Sequence, residues 1–281
     1  MLFENITIVG VGLIGASIGK TVKSRGLARN VVGVGRSIES LRKAIEVKAI
    51  DCFETSIHLG VKNADLVIVC TPVNLIAAQV IQAAYSCPPG CLLTDAGSTK
   101  AKIVAEIEEA AFARDVQFVG SHPIAGSAQR GPEAAVDGLF DNKTTVVTPT
   151  KHSTEAGVLR IEAFWESLGS KVVRLDADTH DSMLGWSSHL PHIVASILAY
   201  VLPENARPYT GTGFRDATRI ASGDPGIWMP IIEHNQDAIL HCLEEMQLEI
   251  RSFKHLLSLN DFTAVRQLLE EGKRGRDALG S

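Results

Sequence analysis

The sequence predicts an α/β protein in which an N-terminal doubly wound sheet is followed by an all-helical C-terminal domain. Short β-branched and apolar runs alternate with helical patterns up to about residue 176, and this alternation is typical of a parallel sheet covered by helices. After Asp176 the β-branched runs stop and the apolar spacing becomes helical. We therefore place the domain boundary there, with residues 1–176 in the first domain and 177–281 in the second.

Composition limits the class of protein. The 281 residues are 45% hydrophobic and carry a net charge of −5, and Lys and Arg form no block, so nucleic acid is not an expected partner. The longest apolar stretch, residues 190–202, is too short to span a bilayer, and no membrane association is expected. The five cysteines lack C-x2-C pairs and no signal peptide pattern is present, which predicts reduced thiols in a cytoplasmic protein.

The chain opens with a β-branched run at residues 6–9 that predicts a strand, followed by Gly10-Val-Gly-Leu-Ile-Gly15 and a helical pattern that closes at Arg25-Gly26. A G-x-G-x-x-G between a strand and a helix is the dinucleotide-binding fingerprint of a Rossmann-type domain. Gly10 permits the tight turn, Gly12 lets the backbone approach a pyrophosphate, and Gly15 lets the helix pack close to the strand. The residues expected at the cofactor from this motif are Gly10, Gly12, Leu13, Ile14 and Gly15.

The end of the second predicted strand, residues 31–34, bears on the choice between NAD and NADP. An NAD enzyme carries Asp or Glu about 20 residues beyond the glycines to hold the ribose 2′-hydroxyl. Here Gly35-Arg36-Ser37 follows the strand, so a guanidinium and a hydroxyl stand where a 2′-phosphate would lie. NADP is therefore the expected cofactor, and NAD stays possible if Arg36 is only a solvated surface residue.

The rest of the first domain continues the alternation of strands and helices. Strands are predicted at 66–70, 91–94, 116–119, 144–147 and 171–175, with helices at 74–84, around 103–107 and at 154–168. Thr71-Pro72 forms the turn after the first of these strands and is expected to contact the cofactor. Asp95-Ala-Gly-Ser98-Thr-Lys100 follows the second.

One stretch, Phe118-Val-Gly-Ser-His-Pro-Ile-Ala-Gly126, is expected to carry the chemistry. Gly120 and Pro123 break the apolar run, which predicts that His122 lies on a turn at the end of a strand. Ligands bind at the C-terminal ends of strands in open parallel sheets, and a histidine there can move a proton near neutral pH. A buried structural histidine is the alternative.

The second domain is predicted to contain helices at 179–202, 225–257 and 261–271, the first with a kink at Pro191. His189 and His192 lie three residues apart, but no third ligand of suitable spacing accompanies them, so no metal is expected. Arg219, which lies among small and apolar residues, fits a carboxylate-binding role and a structural salt bridge equally well. Long apolar helical faces often pack against a second copy, which predicts a homodimer through the helical domain.

Taken together, these motifs resemble the prephenate/arogenate (cyclohexadienyl) dehydrogenase family of tyrosine biosynthesis. The resemblance covers nearly the whole chain. It rests on five motifs in order: the glycine fingerprint at 10–15, Asp95-x-Gly-Ser98-x-Lys100, Gly120-Ser-His-Pro-Ile-Ala-Gly126, Ser188-His-Leu-Pro-His192 and Gly213-Phe-Arg-Asp-x-Thr-Arg-Ile-Ala221.

The resemblance implies an oxidative decarboxylation with hydride transfer to NAD(P)+, converting prephenate to 4-hydroxyphenylpyruvate or arogenate to tyrosine. It implies that His122 takes the proton of the ring hydroxyl and that Ser98 hydrogen-bonds to the same hydroxyl. It also implies that Arg219 holds a substrate carboxylate and that His189 orients the small-molecule substrate. Asp216 and Trp228 would shape the pocket.

One departure from the family pattern leaves the substrate open. Many prephenate-preferring members carry Glu two residues after the glycine of His-Pro-Ile-Ala-Gly, whereas here Gly126 is followed by Ser127-Ala128-Gln129. Arogenate-type, NADP-linked members resemble this sequence better at that point. The sequence does not identify a partner for the arogenate ammonium, so both substrates stay open.

Two other classes of protein compete with this interpretation. The first is an NADP enzyme like the β-hydroxyacid dehydrogenases or imine reductases, and the second is a non-catalytic NADP-sensing protein. The hydroxyacid enzymes resemble one another in carrying a lysine on the long helix between the domains, and residues 177–200 contain no lysine. A sensor would not require His122, Ser98 and Arg219 together.

Overall fold

The structure is a computed structural model that describes residues 2–110, 115–126 and 129–280. The chain divides into two compact units, Met1–Asn235 and Gln236–Ser281. The strands of the first unit are β1 (Phe3–Val9), β2 (Ala28–Val34), β3 (Cys52–Glu54), β4 (Leu66–Val69), β5 (Leu92–Asp95), β6 (Gln117–Pro123), β7 (Thr144–Pro149) and β8 (Lys171–Arg174). Its helices are α1 (Leu13–Ser24), α2 (Ile38–Glu46), α3 (Ile57–Gly60), α4 (Val73–Ala84), α5 (Ala101–Glu108), α6 (Glu155–Ser167), α7 (Ala177–Leu184), α8 (Leu190–Val201), α9 (Thr212–Thr218) and α10 (Pro225–His234).

The eight strands form one sheet in the order β3-β2-β1-β4-β5-β6-β7-β8. Neighbouring strands are parallel except for β6 and β7, which pair antiparallel. The strand order reverses between β1 and β4, and such a switch point is where doubly wound sheets bind ligands. The predicted Rossmann-type sheet is confirmed.

Helices cover both faces of this sheet, and alternate residues of the central strand β4 point to opposite cores. Leu66 and Ile68 of β4 belong to the core that includes residues of α1 and α6. Val67 and Val69 of the same strand belong to the core that includes residues of α4 and α5. This two-sided burial explains why β4 reads as an unbroken apolar run.

The predicted turn at His122 is wrong, because β6 continues through Pro123. Strand β6 pairs with β5 only at Gln117 and Phe118, and antiparallel pairing with β7 carries it onward, with His122 opposite Val146. Pro123 is the last residue of the strand, where its missing N–H costs little. His122 is therefore a buried strand residue, 8% exposed, near the C-terminal end of β6.

The helix predicted at 179–202 is divided by a π-helical turn, Gly185–His189, between α7 and α8. Pro191 lies in the first turn of α8, so the irregularity precedes the proline instead of being a kink at it. A proline offers no N–H to the carbonyl of the preceding turn, and a widened turn before it accommodates that loss. Such π turns often occur at functional sites, and His189 is the last residue of this one.

The helix predicted at 225–257 is also interrupted. Helix α10 ends at His234, and Asn235 leaves the helical conformation at φ −120° and ψ 32°. The segment before α10, which lies between two predicted helices, forms α9 and a 3-10 turn at Arg219–Ser222.

The second unit consists of α11 (Gln236–Ser258) and α12 (Phe262–Ala278). Asn260 adopts φ 55° between them, and Asp261 caps α12 by accepting a hydrogen bond from the Ala264 N–H at 3.0 Å. Helix α12 extends beyond the predicted end at residue 271. Among the described residues, no helix combines the length and apolarity that a bilayer crossing requires.

Candidate active site

A cavity of about 880 Å³ lies beyond the C-terminal ends of β1 and β2, at the switch point of the sheet. It is lined by six of the residues predicted at the cofactor: Gly10, Gly12, Arg36, Ser37, Thr71 and Pro72. The N-terminus of α1 begins directly after Gly12, so its free N–H groups lie where a pyrophosphate would bind.

The backbone at the fingerprint requires glycine at two positions. Gly10 has φ +90°, and a Cβ there would lie 2.7 Å from Thr71 Cγ2. A Cβ on Gly15 would lie 2.3 Å from the Gly10 carbonyl oxygen, so only glycine allows α1 to pack this close to the strand. A Cβ on Gly12 would meet no atom within 4 Å, because that position faces open space. The residues present therefore fit a dinucleotide.

Arg36 and Ser37 lie on the wall of the same cavity. The Arg36 side chain is exposed, and the Ser37 hydroxyl accepts a hydrogen bond from the Ser40 N–H at 3.2 Å as the N-cap of α2. The Ser37 hydroxyl still has its own proton to donate. This part of the wall therefore offers an anion a charged donor, the Arg36 guanidinium, and a neutral donor, the hydroxyl.

A second cavity, of about 760 Å³, shares Gly12, Cys70 and Gly131 with the first. Its wall includes Leu13, Ile14, Gly126, Arg130, His192, Arg219, Asp224 and Trp228. The His192 ring stacks on the Trp228 indole with centroids 3.5 Å apart and an angle of 7°. The cofactor loop therefore meets a cationic and aromatic wall contributed by the helices.

The structure does not bring every predicted substrate residue to these cavities. Ser98 is half-buried in the loop between β5 and α5, and Asp216 is exposed on α9. Neither is among the lining residues of the two cavities, and the buried His122 and His189 are not among them either. His192, which the sequence suggested only as an unlikely metal ligand, lies on the wall. The Ser188-His-Leu-Pro-His192 motif contained the signal that could have identified it.

His122 belongs to a chain of buried hydrogen bonds. Its Nδ1 lies 2.8 Å from His180 Nε2, and His180 Nδ1 lies 2.7 Å from Asp181 Oδ1. The Asp181 carboxylate also accepts hydrogen bonds from the Lys100 N–H at 2.8 Å and the Ala101 N–H at 2.9 Å. Asp181 of α7 thus caps the N-terminus of α5 and connects that helix to His122.

Asn235 connects His189 to the same network. Its Nδ2 group donates to the Asp181 carbonyl oxygen at 2.8 Å and contacts His189 Nδ1 at 2.9 Å. Because an amide Nδ2 can only donate, His189 Nδ1 is the acceptor and a neutral His189 carries its proton on Nε2. The break between α10 and α11 therefore places a side chain that orients His189.

A buried ion pair anchors β6 from the other side. Lys100 Nζ lies 2.5 Å from Asp95 Oδ2, and both side chains are fully buried. The Asp95 Oδ1 atom accepts from the Ser121 N–H at 2.9 Å, one residue before His122. The sequence did not predict functions for Asp95, Lys100, His180, Asp181 or Asn235, although the first two were part of a recognised motif.

Two family models match the chain. The nucleotide-binding domain of prephenate dehydrogenase matches residues 18–174, and the dimerization domain of prephenate dehydrogenase matches residues 176–271. The chain belongs to the prephenate dehydrogenase family. This confirms the predicted family and the predicted class of enzyme, an NAD(P)-dependent oxidoreductase.

Individual relatives agree with this assignment. The chain is 33% identical to the prephenate dehydrogenase of Bacillus subtilis over 283 residues, covering 98% of this chain and 76% of that protein. Aquifex aeolicus prephenate dehydrogenase, solved with hydroxyphenyl propionate and NAD+, superposes with a TM-score of 0.90 at 30% identity and covers 98% of both chains. Synechocystis arogenate dehydrogenase superposes with a TM-score of 0.85 at 28% identity, covering 98% of this chain and 99% of that one.

The predicted departure from the family pattern, two residues after Gly126, lies outside the described residues.

Burial favours the neutral form of the histidines at this site. The pKa of His122 lies well below its ordinary value because the ring is desolvated, and nearby His180, Lys100 and His189 lower it further. Desolvation also lowers the pKa of His189 to about 4. Near pH 7 the His122 imidazole is therefore able to accept a proton.

These pKa shifts predict that the protein loses stability in acid. Five histidines have lowered pKa values with desolvation as the first cause: His122, His180, His189, His192 and His234. Below about pH 6.5 the unfolded chain binds protons that the folded chain does not, so the free energy of unfolding falls as the pH falls. His189 alone is expected to contribute about 3 kcal/mol of this loss between pH 6.5 and about 4.

Urea unfolding of wild type and of His189→Asn at several pH values checks this expectation. The asparagine side chain has no site that takes up a proton in this range, so the free energy of unfolding of the variant should depend less steeply on pH. The same substitution at the exposed His255 is the matched control. Equal slopes for wild type and His189→Asn would contradict the predicted contribution of His189.

Proposed function

We propose that this chain is a cyclohexadienyl dehydrogenase that converts prephenate to 4-hydroxyphenylpyruvate, or arogenate to tyrosine, with NAD(P)+. One observation carries the proposal: the glycine loop, Arg219 and Trp228 line a single cavity at the end of the strand that holds a buried, neutral His122. The Aquifex relative, solved with a hydroxyphenyl acid and NAD+, supports the same pairing of ligand and cofactor.

The reaction needs a base at the ring hydroxyl. When bound, NAD(P)+ would supply the acceptor for the hydride that leaves the carbinol carbon. His122 takes the hydroxyl proton, and the hydroxyl oxygen becomes a carbonyl. The bond to the ring carboxylate then breaks, carbon dioxide leaves, and the electron pair of that bond makes the ring aromatic. His122 returns its proton to the resulting phenolate, so the reaction releases no net proton.

Four of the other predicted substrate residues keep their proposed roles. Arg219 lines the cavity and binds a substrate carboxylate, since its planar guanidinium matches a carboxylate bidentately. His189 donates from Nε2 to orient the substrate, and Trp228 supplies an apolar wall. Ser98 hydrogen-bonds to the ring hydroxyl beside His122. The exposed position of Asp216 gives its proposed role no support from this chain.

Within the NAD(P) class, we propose NADP as the preferred cofactor. Arg36→Ala is expected to raise the KM for NADP+ about ten- to a hundredfold, because hydrogen bonds to a charged group are each worth about 1.5–3 kcal/mol. The KM for NAD+ should hardly change, since NAD+ lacks the 2′-phosphate. Initial rates with each cofactor, on wild type and variant, measure this.

Arg42→Ala is the matched control for Arg36→Ala, because Arg42 is exposed on α2 and is absent from the wall of the cavity. An equal rise in KM for both cofactors would mean that Arg36 contacts a part that NAD+ and NADP+ share. That result would remove the argument for NADP.

We further propose that the chain divides functionally at residue 176, acts as a homodimer through the helical domain and resides in the cytoplasm. The boundary between the two family models, at 174–176, supports this division better than the compact units, which divide at 235–236. The matched dimerization domain supports the dimer. The cysteines, all within the described residues, form no disulfide, which supports a reducing compartment.

The test of the proposed function is reduction of NADP+ and NAD+ followed at the nicotinamide absorbance, with prephenate and arogenate offered separately. Turnover of either substrate supports the proposal, and the best of the four combinations identifies the preferred substrate and cofactor. Binding of NADP+ without turnover of either substrate would favour the cofactor-sensing alternative.

A further inference from the structure

We propose that Asp181 and His180 fix the tautomer of His122, so that its neutral ring carries the proton on Nδ1 and keeps the Nε2 lone pair for the substrate. His180 is then a positioning residue that acts through His122. The inference rests on the proposed role of His122 as the base. It assigns a function to two buried side chains that the reaction described above does not otherwise use.

The direction of the hydrogen bonds follows from the carboxylate end of the chain. Both oxygens of Asp181 already accept from backbone N–H groups at the start of α5, Oδ1 from Lys100 and Oδ2 from Ala101. A carboxylate held in this way is an acceptor, and the positive end of the helix favours its charge. His180 Nδ1, at 2.7 Å from Oδ1, must therefore be the donor.

The remaining protons are then determined one after another. With its proton on Nδ1, a neutral His180 has a lone pair on Nε2. His122 Nδ1 lies 2.8 Å from that lone pair and must donate to it. In the opposite tautomer of His122, two lone pairs would face each other at 2.8 Å inside the protein. The protonated Nε2 of that tautomer would also face away from His180, and it could not accept a proton from the substrate.

Burial protects the hydrogen bonds between His122, His180 and Asp181 from competition with water. His180 is 0% exposed and Asp181 3% exposed, so water is excluded from the bonds that hold the two rings. The rings of His122 and His180 meet edge to face at 66° with centroids 5.1 Å apart, an arrangement compatible with the hydrogen bond between their nitrogens. When His122 holds the substrate proton, His180 accepts from its Nδ1 and Asp181 balances the charge without being protonated itself.

Nitrogen-15 NMR of the histidine side chains in the wild-type protein tests the tautomer directly. We expect His122 to show a protonated Nδ1 and an unprotonated Nε2 near pH 7. The peaks that disappear in His122→Asn identify His122 among the nine histidines. A neutral His122 protonated on Nε2 would overturn the proposal. The tautomer is read from the wild-type protein, and the variant serves only to assign the peaks.

A pair of variants at His180 separates positioning from packing. In His180→Gln the amide oxygen can reach the former Nε2 position and accept from His122, whereas in His180→Phe the ring fills the space but accepts nothing. We expect the Phe variant to lose about 10²- to 10⁴-fold in kcat with little change in KM, and the Gln variant to recover most of that loss. A packing role predicts the reverse order, because Phe matches the shape of the buried imidazole better.

The two measurements distinguish failure of this inference from failure of the proposed function. If neither prephenate nor arogenate is oxidised, but His122 carries its proton on Nδ1, the assigned substrates are wrong and the proposed tautomer of His122 is correct. If the substrates are oxidised and His180→Phe keeps wild-type kcat, the positioning role of His180 is wrong and the proposed function is still supported.

Discussion

Replacing His122 with Asn is expected to lower kcat by about 10²- to 10⁴-fold while leaving the binding of NADP+ unchanged. The Asn amide can occupy the position of His122 Nδ1 and donate to His180 Nε2, so the buried partner stays hydrogen-bonded. The variant lacks the Nε2 nitrogen, and with it the group that takes the hydroxyl proton. Steady-state kinetics and a fluorescence titration with NADP+ measure the two effects separately.

His122→Ala provides a comparison for the Asn variant. Alanine removes the base and also leaves His180 Nε2 without its donor, so it should lower both kcat and the melting temperature. The Asn variant should lower kcat alone. An Asn variant with near-normal kcat would show that another group takes the proton, and the role assigned to His122 would be wrong.

Replacing Lys100 with Met is expected to lower the free energy of unfolding by about 3–5 kcal/mol, because it leaves a buried carboxylate without its partner. Lys100 Nζ donates to Asp95 Oδ2 at 2.5 Å and to the Thr99 carbonyl oxygen at 2.8 Å, and both ionic side chains are fully buried. Methionine keeps the unbranched apolar stem and removes the charge. Thermal unfolding should show a fall in melting temperature of the order of 10 °C.

A double-mutant cycle separates the ion pair from the packing of the lysine stem. Asp95→Asn in the Lys100→Met background removes the unpaired charge and should restore part of the lost stability. Lys273→Met in the exposed pair with Asp277 on α12 is the control and should change the melting temperature very little. Equal losses in Lys100→Met and in the double variant would attribute the effect to packing.

Local sequence was sufficient for much of the first domain. The strands from β1 to β5 that the sequence predicted begin and end within a few residues of their predicted limits, and the glycine fingerprint turns where the motif requires. These features depend on neighbours in the chain, such as a β-branched run or a glycine at φ +90°. The short β3 was missed, because three residues carry too little periodicity to be recognised.

Long-range pairing corrected the local predictions around the site. Gly120 and Pro123 predict a turn from their own conformational preferences, but hydrogen bonds from β7 extend β6 through His122. In the sequence, Asn235 is one more residue of a long predicted helix. In the structure the helix is interrupted there, and the Asn235 side chain forms two hydrogen bonds, one to α7 and one to the π-helical turn. In both cases the preference of a few residues was overridden by partners about 25 to 50 residues away.

The sequence by itself determined the class of fold, the place of the cofactor loop and the family, because each depends on residue types at fixed short spacings. Only the tertiary structure showed which buried groups face His122 Nδ1, and with them which nitrogen we propose as the base. That choice depends on a carboxylate 59 residues further along the chain, whose own bonds run to the start of α5. Spacing along the sequence contains no information on the direction of such hydrogen bonds, which is fixed when distant donors and acceptors are buried together.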